Sequence, residues 1–199
     1  ASYRRQRQMC IRDRAYPNMT RFDWAVELFP WFEYYLKGIG DEPESYVQMQ
    51  RNDGRWHIEE TWPPEDLSIL QVPGDGGNQR VSSTSGGFEI TLEISDGPIH
   101  ISGLPTLHTD VSTGLCNGGQ LFVTMKDGES GLRLGHATMD VRYRDGGYES
   151  KPTASLSSYR MLMEFNPMDV IVPSGILTLQ FSESGEDYIP SPCAVNGLL

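Results

Sequence analysis

Long apolar stretches are missing from this sequence, and basic residues are scarce. No apolar run approaches the roughly 18–20 residues that a helix needs to span a bilayer, so no membrane segment is expected. The 16 lysines and arginines are outnumbered by 27 aspartates and glutamates, which gives a formal net charge of −11. A surface this acidic repels phosphate groups and therefore argues against nucleic acid and anionic membranes as partners.

Cysteine is also scarce, and the three that occur do not follow the spacing of a zinc site or a disulfide framework. Neither a CxxC pair nor a Cys/His cluster is present. Cys116 and Cys193 could form a disulfide in an exported protein, but two free thiols are the interpretation that the sequence favours. The sequence therefore predicts no metal and no cofactor.

Motifs of catalysis are missing as well. The chain has no GxSxG nucleophile elbow, no HExxH pair, no EF-hand loop and no phosphate-binding glycine loop. A catalytic base at His57 would need a nucleophile and an orienting acid, and the sequence indicates neither, while His100 and His108 are expected to be structural. Asp127 and Asp145 open short acidic turns, which are weak calcium signals. No residue is therefore predicted to be catalytic, cofactor-binding or metal-binding.

The clearest positive signal lies in residues 118–147, which read as two β-strands joined by a loop. Apolar and polar side chains alternate with period two in both halves. The apolar face comprises Leu121, Val123 and Met125, then Ala137, Met139, Val141 and Tyr143; the opposite face comprises Phe122 and Thr124, then His136, Thr138, Asp140, Arg142 and Arg144. Such a pair cannot bury its apolar face alone, so a second sheet is expected to cover it.

Further alternating segments predict a mainly β fold. They are residues 88–94, 99–101, 104–111, 159–165, 169–172 and 177–181. About eight or nine strands at this spacing are typical of an all-β sandwich. Met161 and Met163 are expected to fill its core. Residues 72–87 are expected to form a polar surface loop.

The amino-terminal third has a different composition. Residues 1–14 contain five arginines and the string MCIRDR, which resembles translated sequencing adapter at the end of a metagenomic fragment, so a non-native leader is expected. A helix follows, capped by Thr20, kinked or split by Pro30 and ended by Gly38. Its many aromatic residues require a packing partner. A hairpin is predicted around Asp53-Gly54.

Five stretches occur in an order that resembles one family. They are WFEYYLKG at 31–38, YVQMQRNDGRWHIEETWPP at 46–64, GQLFVTMKD at 119–127, RLGHATMDVRYR at 133–144 and MDVIVPSG at 168–175. Together they are similar to the carboxy-terminal part of the X-Pro dipeptidyl-peptidase and cocaine esterase-like (CocE/NonD) serine hydrolases. In that family an α/β-hydrolase domain carries a Ser-Asp-His triad, and a jelly-roll β-sandwich, galactose-binding-like in fold, packs on it.

The resemblance implies a domain organisation. Residues 15–40 correspond to the last helix of a truncated α/β-hydrolase domain, 41–64 to the passage between domains, and 65–199 to the jelly roll. The triad lies upstream of the helix in that family, so no catalytic residue is carried over to this chain. The implied role is to support the hydrolase domain and to wall its substrate pocket.

The implied partners follow from the same resemblance. They are the chain's own upstream hydrolase domain and, in the full-length protein, a peptide or ester substrate, and a homo-oligomer stays open. The alternative from a different functional class is a free-standing β-sandwich module that binds carbohydrate. Such a module needs exposed aromatic rings on one sheet face or on a rim, whereas the aromatic residues here concentrate in the predicted helix.

Overall fold

The computed structural model describes residues 21–73, 78–81, 87–115, 117–145, 148–183, 185, 193 and 195–198. The chain divides into two compact units, Ala1–Asp66 and Leu67–Leu199. The predicted leader over residues 1–14 and the predicted cap Thr20 lie outside the described residues. Within the described part, no helix combines the length and the apolar character that crossing a membrane requires.

The first unit begins with helix α1, Arg21–Phe32, which continues through Pro30 into a π-helical turn, Glu33–Lys37. The helix is therefore not split at Pro30, where the sequence predicts a kink or a split. A proline removes one helical hydrogen bond, and here that loss falls in the last turn of α1. The predicted stop at Gly38 is confirmed: its φ of 67° is left-handed, and its N–H donates to the carbonyl oxygen of Tyr34 at 3.0 Å.

The predicted hairpin follows in the first unit. Strands β1, Val47–Gln50, and β2, Trp56–Glu59, pair in antiparallel fashion. Gly54 takes a φ of 83° in the turn, and its N–H donates to the carbonyl oxygen of Arg51 at 2.9 Å. The Asp53 carboxylate accepts from the Arg55 N–H at 2.9 Å. The Asp-Gly pair thus makes the turn that its chemistry predicts.

The second unit is built from antiparallel strands, so the predicted mainly β character is confirmed. The strands are β3 Asn78–Val81, β4 Phe88–Glu93, β5 Ile99–Gly103, β6 Thr106–Thr113, β7 Gln120–Asp127, β8 Arg133–Asp140, β9 Ser158–Glu164, β10 Met168–Val172, β11 Ile176–Ser182 and β12 Val195–Leu198. They form two four-stranded sheets, ordered β4-β11-β7-β8 and β3-β12-β6-β9, and a β5-β10 pair.

One apolar core is shared by both four-stranded sheets and the β5-β10 pair. Alternate residues of strands β4 to β11 enter it, as the period of two requires. Its buried members are Val111, Leu121, Val123, Met125, Ala137, Val141, Met161, Met163, Phe165, Met168, Val170, Val172, Leu177, Leu179 and Phe181. The prediction that a second sheet covers the hairpin's apolar face is confirmed, as is the placement of Met161 and Met163 in the core.

The second strand of that hairpin is shorter than predicted. β8 ends at Asp140, and Val141–Tyr143 form a single 3₁₀ turn. The Asp140 carboxylate caps this turn by accepting the Arg142 N–H at 2.8 Å, while the Val141 N–H donates to the Gly119 carbonyl oxygen at 2.9 Å. The local cap therefore outweighs the alternating pattern. Tyr143, predicted to lie on the apolar face, is instead partly exposed.

Strand β7 is buried on both of its faces. Phe122 and Thr124, opposite to the core, are only 3% and 8% exposed. The Phe122 ring stacks with His136 at a centroid distance of 5.5 Å, and Gly185 lies so close that an added Cβ would come within 2.4 Å of Phe122 Cζ. The face predicted to be polar is thus partly covered by its own unit.

Two short strands were not predicted. β3 lies inside the stretch 72–87 that was expected to be loop, and β12 lies near the carboxy terminus. β12 pairs with both β3 and β6. The expected loop is therefore wrong at Asn78–Val81. A strand of four mostly polar residues is too short to show an alternating pattern. Asn78–Val81 is recognisable as a strand only from its pairing with β12.

Candidate functional site

The histidine of the first hairpin is held by its neighbours. His57 Nε2 lies 2.8 Å from a carboxylate oxygen of Glu59, and His57 Nδ1 lies 3.1 Å from Arg51 Nη2. Both ring nitrogens therefore have polar partners on the hairpin itself. This arrangement orients and stabilises the hairpin, and it offers no nucleophile for the imidazole to activate.

His100 and Asp169 form a polar pair on the outer side of the β5-β10 sheet. The His100 Nε2 contacts an Asp169 carboxylate oxygen across the two strands. The Asp169 side chain is fully buried, whereas His100 is partly exposed. Ser102 is the cross-strand neighbour of Asp169 and lies on the same face as His100.

This trio has the residue types of a hydrolytic triad but not its accessibility. A triad serine must present its hydroxyl to a substrate carbonyl while the histidine accepts its proton. The Ser102 hydroxyl is buried and has no hydrogen-bond partner among the described residues. The arrangement therefore supports a structural role, in which the imidazole compensates the buried carboxylate. His108 is simply exposed on β6.

His136 belongs to a cluster on the outer side of the β7-β8 hairpin. Its Nδ1 lies 3.0 Å from Arg133 Nη2, and the Arg133 guanidinium sits 6.0 Å from the centroid of the Phe122 ring. The backbone N–H of His136 donates to the Asn166 side-chain oxygen at 2.9 Å, and this hydrogen bond connects β8 to the loop before β10. These contacts are aromatic and hydrogen-bonding packing rather than a reactive constellation.

Asp127, one of the two weak calcium candidates, closes the β7-β8 turn. Its Oδ1 accepts hydrogen bonds from the Glu129 N–H at 3.1 Å, the Ser130 N–H at 2.6 Å and the Ser130 hydroxyl at 2.8 Å. Burial disfavours the charged carboxylate, but these hydrogen bonds outweigh burial and lower the pKa of Asp127 below its ordinary value of 3.8. The second candidate, Asp145, pairs with Lys151.

Replacing Asp127 with alanine is expected to lower the free energy of unfolding by about 1–3 kcal/mol at neutral pH, because three donors lose a charged acceptor. A carboxylate with a lowered folded-state pKa contributes stability above its unfolded pKa, and this contribution is lost as the pH falls through the folded value. The gap between wild type and variant should therefore shrink below about pH 4. Urea unfolding of the wild type and the variant at about pH 7 and about pH 3 measures this difference in the free energy of unfolding.

The matched control is Asp145→Ala. Asp145 and Lys151 form an exposed pair that water and salt screen, so this loss is expected to be clearly smaller than that of Asp127→Ala. Equal losses for the two variants at neutral pH would contradict the role assigned to Asp127.

The two arginines that follow β8 also serve the fold. Arg142 binds both Asp140 oxygens, with Nε at 3.0 Å and Nη2 at 2.7 Å, and these hydrogen bonds raise the pKa of Arg142. The Arg144 guanidinium lies 4.4 Å from the centroid of the Tyr159 ring and donates to the Val141 carbonyl oxygen at 3.1 Å. Both arginines therefore stabilise the 3₁₀ turn, Arg142 through Asp140 and Arg144 through Val141 and the Tyr159 ring.

Cys193 is buried, and its Sγ lies 3.9 Å from the carbonyl oxygen of Asn117. Cys116, its predicted alternative disulfide partner, lies outside the described residues. Across the described ranges, no group of three or more His, Cys, Asp or Glu residues is arranged to hold a metal ion.

The helical segment of the first unit carries a cluster of exposed aromatic side chains. We define the aromatic surface as Phe29, Trp31, Phe32, Tyr35 and Leu36, which are 64%, 46%, 37%, 51% and 73% exposed. Its rings contact one another, with centroid distances of 5.3 Å for Trp31 and Phe32 and 4.9 Å for Trp31 and Tyr35. Solvent-exposed clusters of this kind mark interaction sites.

Comparison with known proteins gives structural relatives but no sequence match. No protein-family profile and no curated relative matches the chain. An aminopeptidase from a marine sediment archaeon, a Thaumarchaeota archaeon, superposes with a TM-score of 0.58 at 14% identity, over 86% of this chain and 41% of its own. A CocE/NonD family hydrolase from Staphylococcus aureus gives 0.55 at 11%, over 90% and 44%.

A third solved structure, an α-amino acid ester hydrolase, gives a TM-score of 0.57 at 14% identity, over 86% of this chain and 42% of its own. This chain therefore spans about two fifths of the length of these proteins. Identities this low establish the fold alone. The chain has the fold of part of the CocE/NonD-type hydrolases, as its ordered sequence motifs indicate.

Proposed function

We propose that this chain is the carboxy-terminal portion of a CocE/NonD-type serine hydrolase and that its β-rich unit is a jelly-roll sandwich without a triad of its own. The observation that carries the proposal is the shared fold, which extends over 86–90% of this chain but only 41–44% of the hydrolases. The sandwich supports the hydrolase domain and walls its substrate pocket. The nucleophile, base and acid belong to the rest of the parent protein.

The aromatic surface gives the first unit a role in this proposal. The segment 15–40 then belongs to the hydrolase domain, with α1 as its last helix, and residues 41–64 are the passage to the sandwich over 65–199. An isolated helix of this length is marginal in water, and large rings left in solvent forgo the free energy of burial. Both costs disappear if Trp31, Tyr35 and their neighbours pack against the remainder of the hydrolase domain.

The substrate class follows from the chemistry of the structural relatives. One is named an aminopeptidase and another an α-amino acid ester hydrolase. These names describe cleavage of a peptide bond and of an ester bond, and a Ser-Asp-His triad can perform both reactions by acyl transfer. The parent protein of this chain is accordingly proposed to cleave peptide or ester bonds, including X-Pro peptides, and to act as a monomer or a homo-oligomer.

The test compares the 199-residue chain with the full-length parent protein. The chain alone is expected to show no turnover of an aminoacyl-prolyl p-nitroanilide or a p-nitrophenyl ester above the uncatalysed rate. The full-length protein is expected to exceed that rate by at least about 10⁶-fold, the lower range for enzymes. A fluorophosphonate probe should label a serine in the full-length protein only. Labelling and turnover by the chain itself would overturn the proposal.

The alternative, a free-standing carbohydrate-binding module, has less support. In the described part of the second unit, the only exposed large aromatic side chains are Tyr143 and Tyr148. Both lie outside the strands, so no described sheet face presents exposed rings, and a rim site would have only these two tyrosines. Retention of the chain on a glycan affinity gel, with no activity in the full-length protein, would favour this alternative.

A further inference from the structure

The two four-stranded sheets have four edge strands, β3, β4, β8 and β9. An edge strand can pair with a strand of another chain unless charge, proline or a covering segment prevents it. β4 carries Glu89 and Glu93 on its exposed face, and β3 has only four residues. β9 carries Arg160 and Glu164 on its exposed face. β8 has no lysine, arginine, aspartate or glutamate over residues 134–139, so its edge needs another form of protection.

Backbone hydrogen bonds show which positions of β8 face away from β7. The Val141 N–H, directly after β8, donates to the carbonyl oxygen of Gly119, directly before β7, at 2.9 Å. Backbone groups alternate in direction along a strand, so those at the odd-numbered positions of β8 face β7. Those at even-numbered positions, including His136 and Thr138, point out of the sheet edge.

Asn166, in the loop between β9 and β10, occupies this edge at His136. Its side-chain oxygen accepts the backbone N–H of His136 at 2.9 Å, and its own N–H donates to the His136 carbonyl oxygen at 3.2 Å. A residue on a neighbouring strand would make the same two hydrogen bonds. The Asn166 amide nitrogen donates to the Pro167 carbonyl oxygen at 3.3 Å, which orients the side-chain oxygen toward His136. Asn166 thus takes the place of one residue of an added strand.

The surroundings of Asn166 prevent the pairing from continuing. Pro167 follows it and has no N–H to donate. Gly135 gives the loop room to approach, because an added Cβ would come within 2.9 Å of the Asn166 side-chain oxygen and within 2.5 Å of Met168 Cε. The register of the β7-β8 pairing also shifts next to Gly135, and such irregularities disrupt an edge.

We propose that Asn166 is an edge guard, which prevents β8 from pairing with a strand of a second copy of this chain. The other end of the edge is closed by the 3₁₀ turn that Asp140 caps. Only Thr138 then faces outward between the guard and the turn, and one position is too short to hold a strand. The inference concerns the β-rich unit itself and does not depend on the proposed hydrolase function.

The experiment measures self-association of the 199-residue chain by sedimentation velocity over a wide range of concentrations. Asn166→Ala removes the side-chain acceptor, so the loop is held at His136 by one hydrogen bond instead of two. We expect this variant to dimerise with a dissociation constant at least about tenfold lower than that of the wild type, the equivalent of roughly one net hydrogen bond. The aromatic surface is the same in both proteins, so any association through it contributes equally.

Two further variants locate the contact. Asn166→Asp keeps an acceptor oxygen of the same reach, and we expect it to associate no more than the wild type. Thr138→Pro removes the remaining outward N–H, a change that edge strands tolerate. In the double variant Asn166→Ala/Thr138→Pro, we expect the dissociation constant to return to the wild-type value.

Two results would overturn the inference. One is a wild-type dissociation constant for Asn166→Ala, and the other is association that persists in the double variant, because the contact would then lie elsewhere. Circular dichroism establishes that each variant is folded. If Asn166→Ala does not fold, amide exchange in the wild type decides. The His136 N–H is expected to exchange at least about tenfold more slowly than the Thr138 N–H, and equal rates would show that Asn166 does not close the edge.

Discussion

Replacing Gly175 with alanine is expected to lower the free energy of unfolding of the β-rich unit by about 3 kcal/mol. Gly175 lies in the turn between β10 and β11 with a φ of 68°, which disfavours any side chain. An added Cβ would also come within 2.3 Å of the Ser95 carbonyl oxygen and 2.5 Å of the Gly97 carbonyl oxygen. Both neighbours are backbone atoms, so they cannot move aside as a flexible side chain would.

Gly175 also accepts hydrogen bonds from the segment that follows β4, so the substitution is expected to disturb that segment as well as its own turn. The Gly175 carbonyl oxygen accepts from the Ile94 N–H at 2.9 Å and from the Ser95 N–H at 3.3 Å. Displacing this turn to accommodate a methyl group would strain both hydrogen bonds, and with them the end of β4 beside β11. Urea unfolding followed by circular dichroism measures the loss, because the β-rich unit dominates the strand signal and all four tryptophans lie in the first unit.

Gly131→Ala is the matched control. Gly131 has nearly the same φ, 69°, but an added Cβ would meet nothing within 4 Å. Its replacement is therefore expected to lower the free energy of unfolding by only about 1 kcal/mol, the cost of holding alanine in a left-handed backbone conformation. Similar losses for both variants would mean that the close approach at Gly175 is not maintained in solution.

The sequence predicted most of the fold wherever a strand buries one face. In β9, Met161 and Met163 are fully buried while Leu162 between them is 43% exposed, as the period of two requires. The turn at Gly54 and the helix end at Gly38 were predictable because few residues other than glycine adopt their conformations. These signals are local, so a single sequence contains them.

Features that depend on distant partners were not predictable. Strand β3 is defined by its pairing with β12, more than a hundred residues away. The compensation of Asp169 by His100 joins residues 69 positions apart. The left-handed conformation of Leu156 has no sequence signature, because its N–H donates to the carbonyl oxygen of Gly114 in a sequence-distant loop. For the candidate site, the ordered motifs indicated the fold shared with the CocE/NonD-type hydrolases, but not that the His57 imidazole lies between Arg51 and Glu59.

Replacing Phe181 with alanine is expected to destabilise the β-rich unit by about 3–5 kcal/mol. Phe181 is 1% exposed and belongs to β11, in the middle of its four-stranded sheet. Its ring stacks on that of Phe88, its cross-strand neighbour, with a centroid distance of 4.5 Å and an interplanar angle of 5°. The variant loses the apolar transfer free energy, leaves a cavity and removes this ring contact.

Phe29→Ala provides the same chemical change at an exposed position. Phe29 belongs to the aromatic surface and is 64% exposed, so in the 199-residue chain its loss is expected to change the free energy of unfolding by less than about 0.5 kcal/mol. The double variant Phe88→Ala/Phe181→Ala should be less destabilising than the sum of its single changes, by about 0.5–1.5 kcal/mol, because either change alone removes the ring pair. Additive losses would contradict the stacked geometry, and an intact unfolding midpoint for Phe181→Ala would contradict its place in the core.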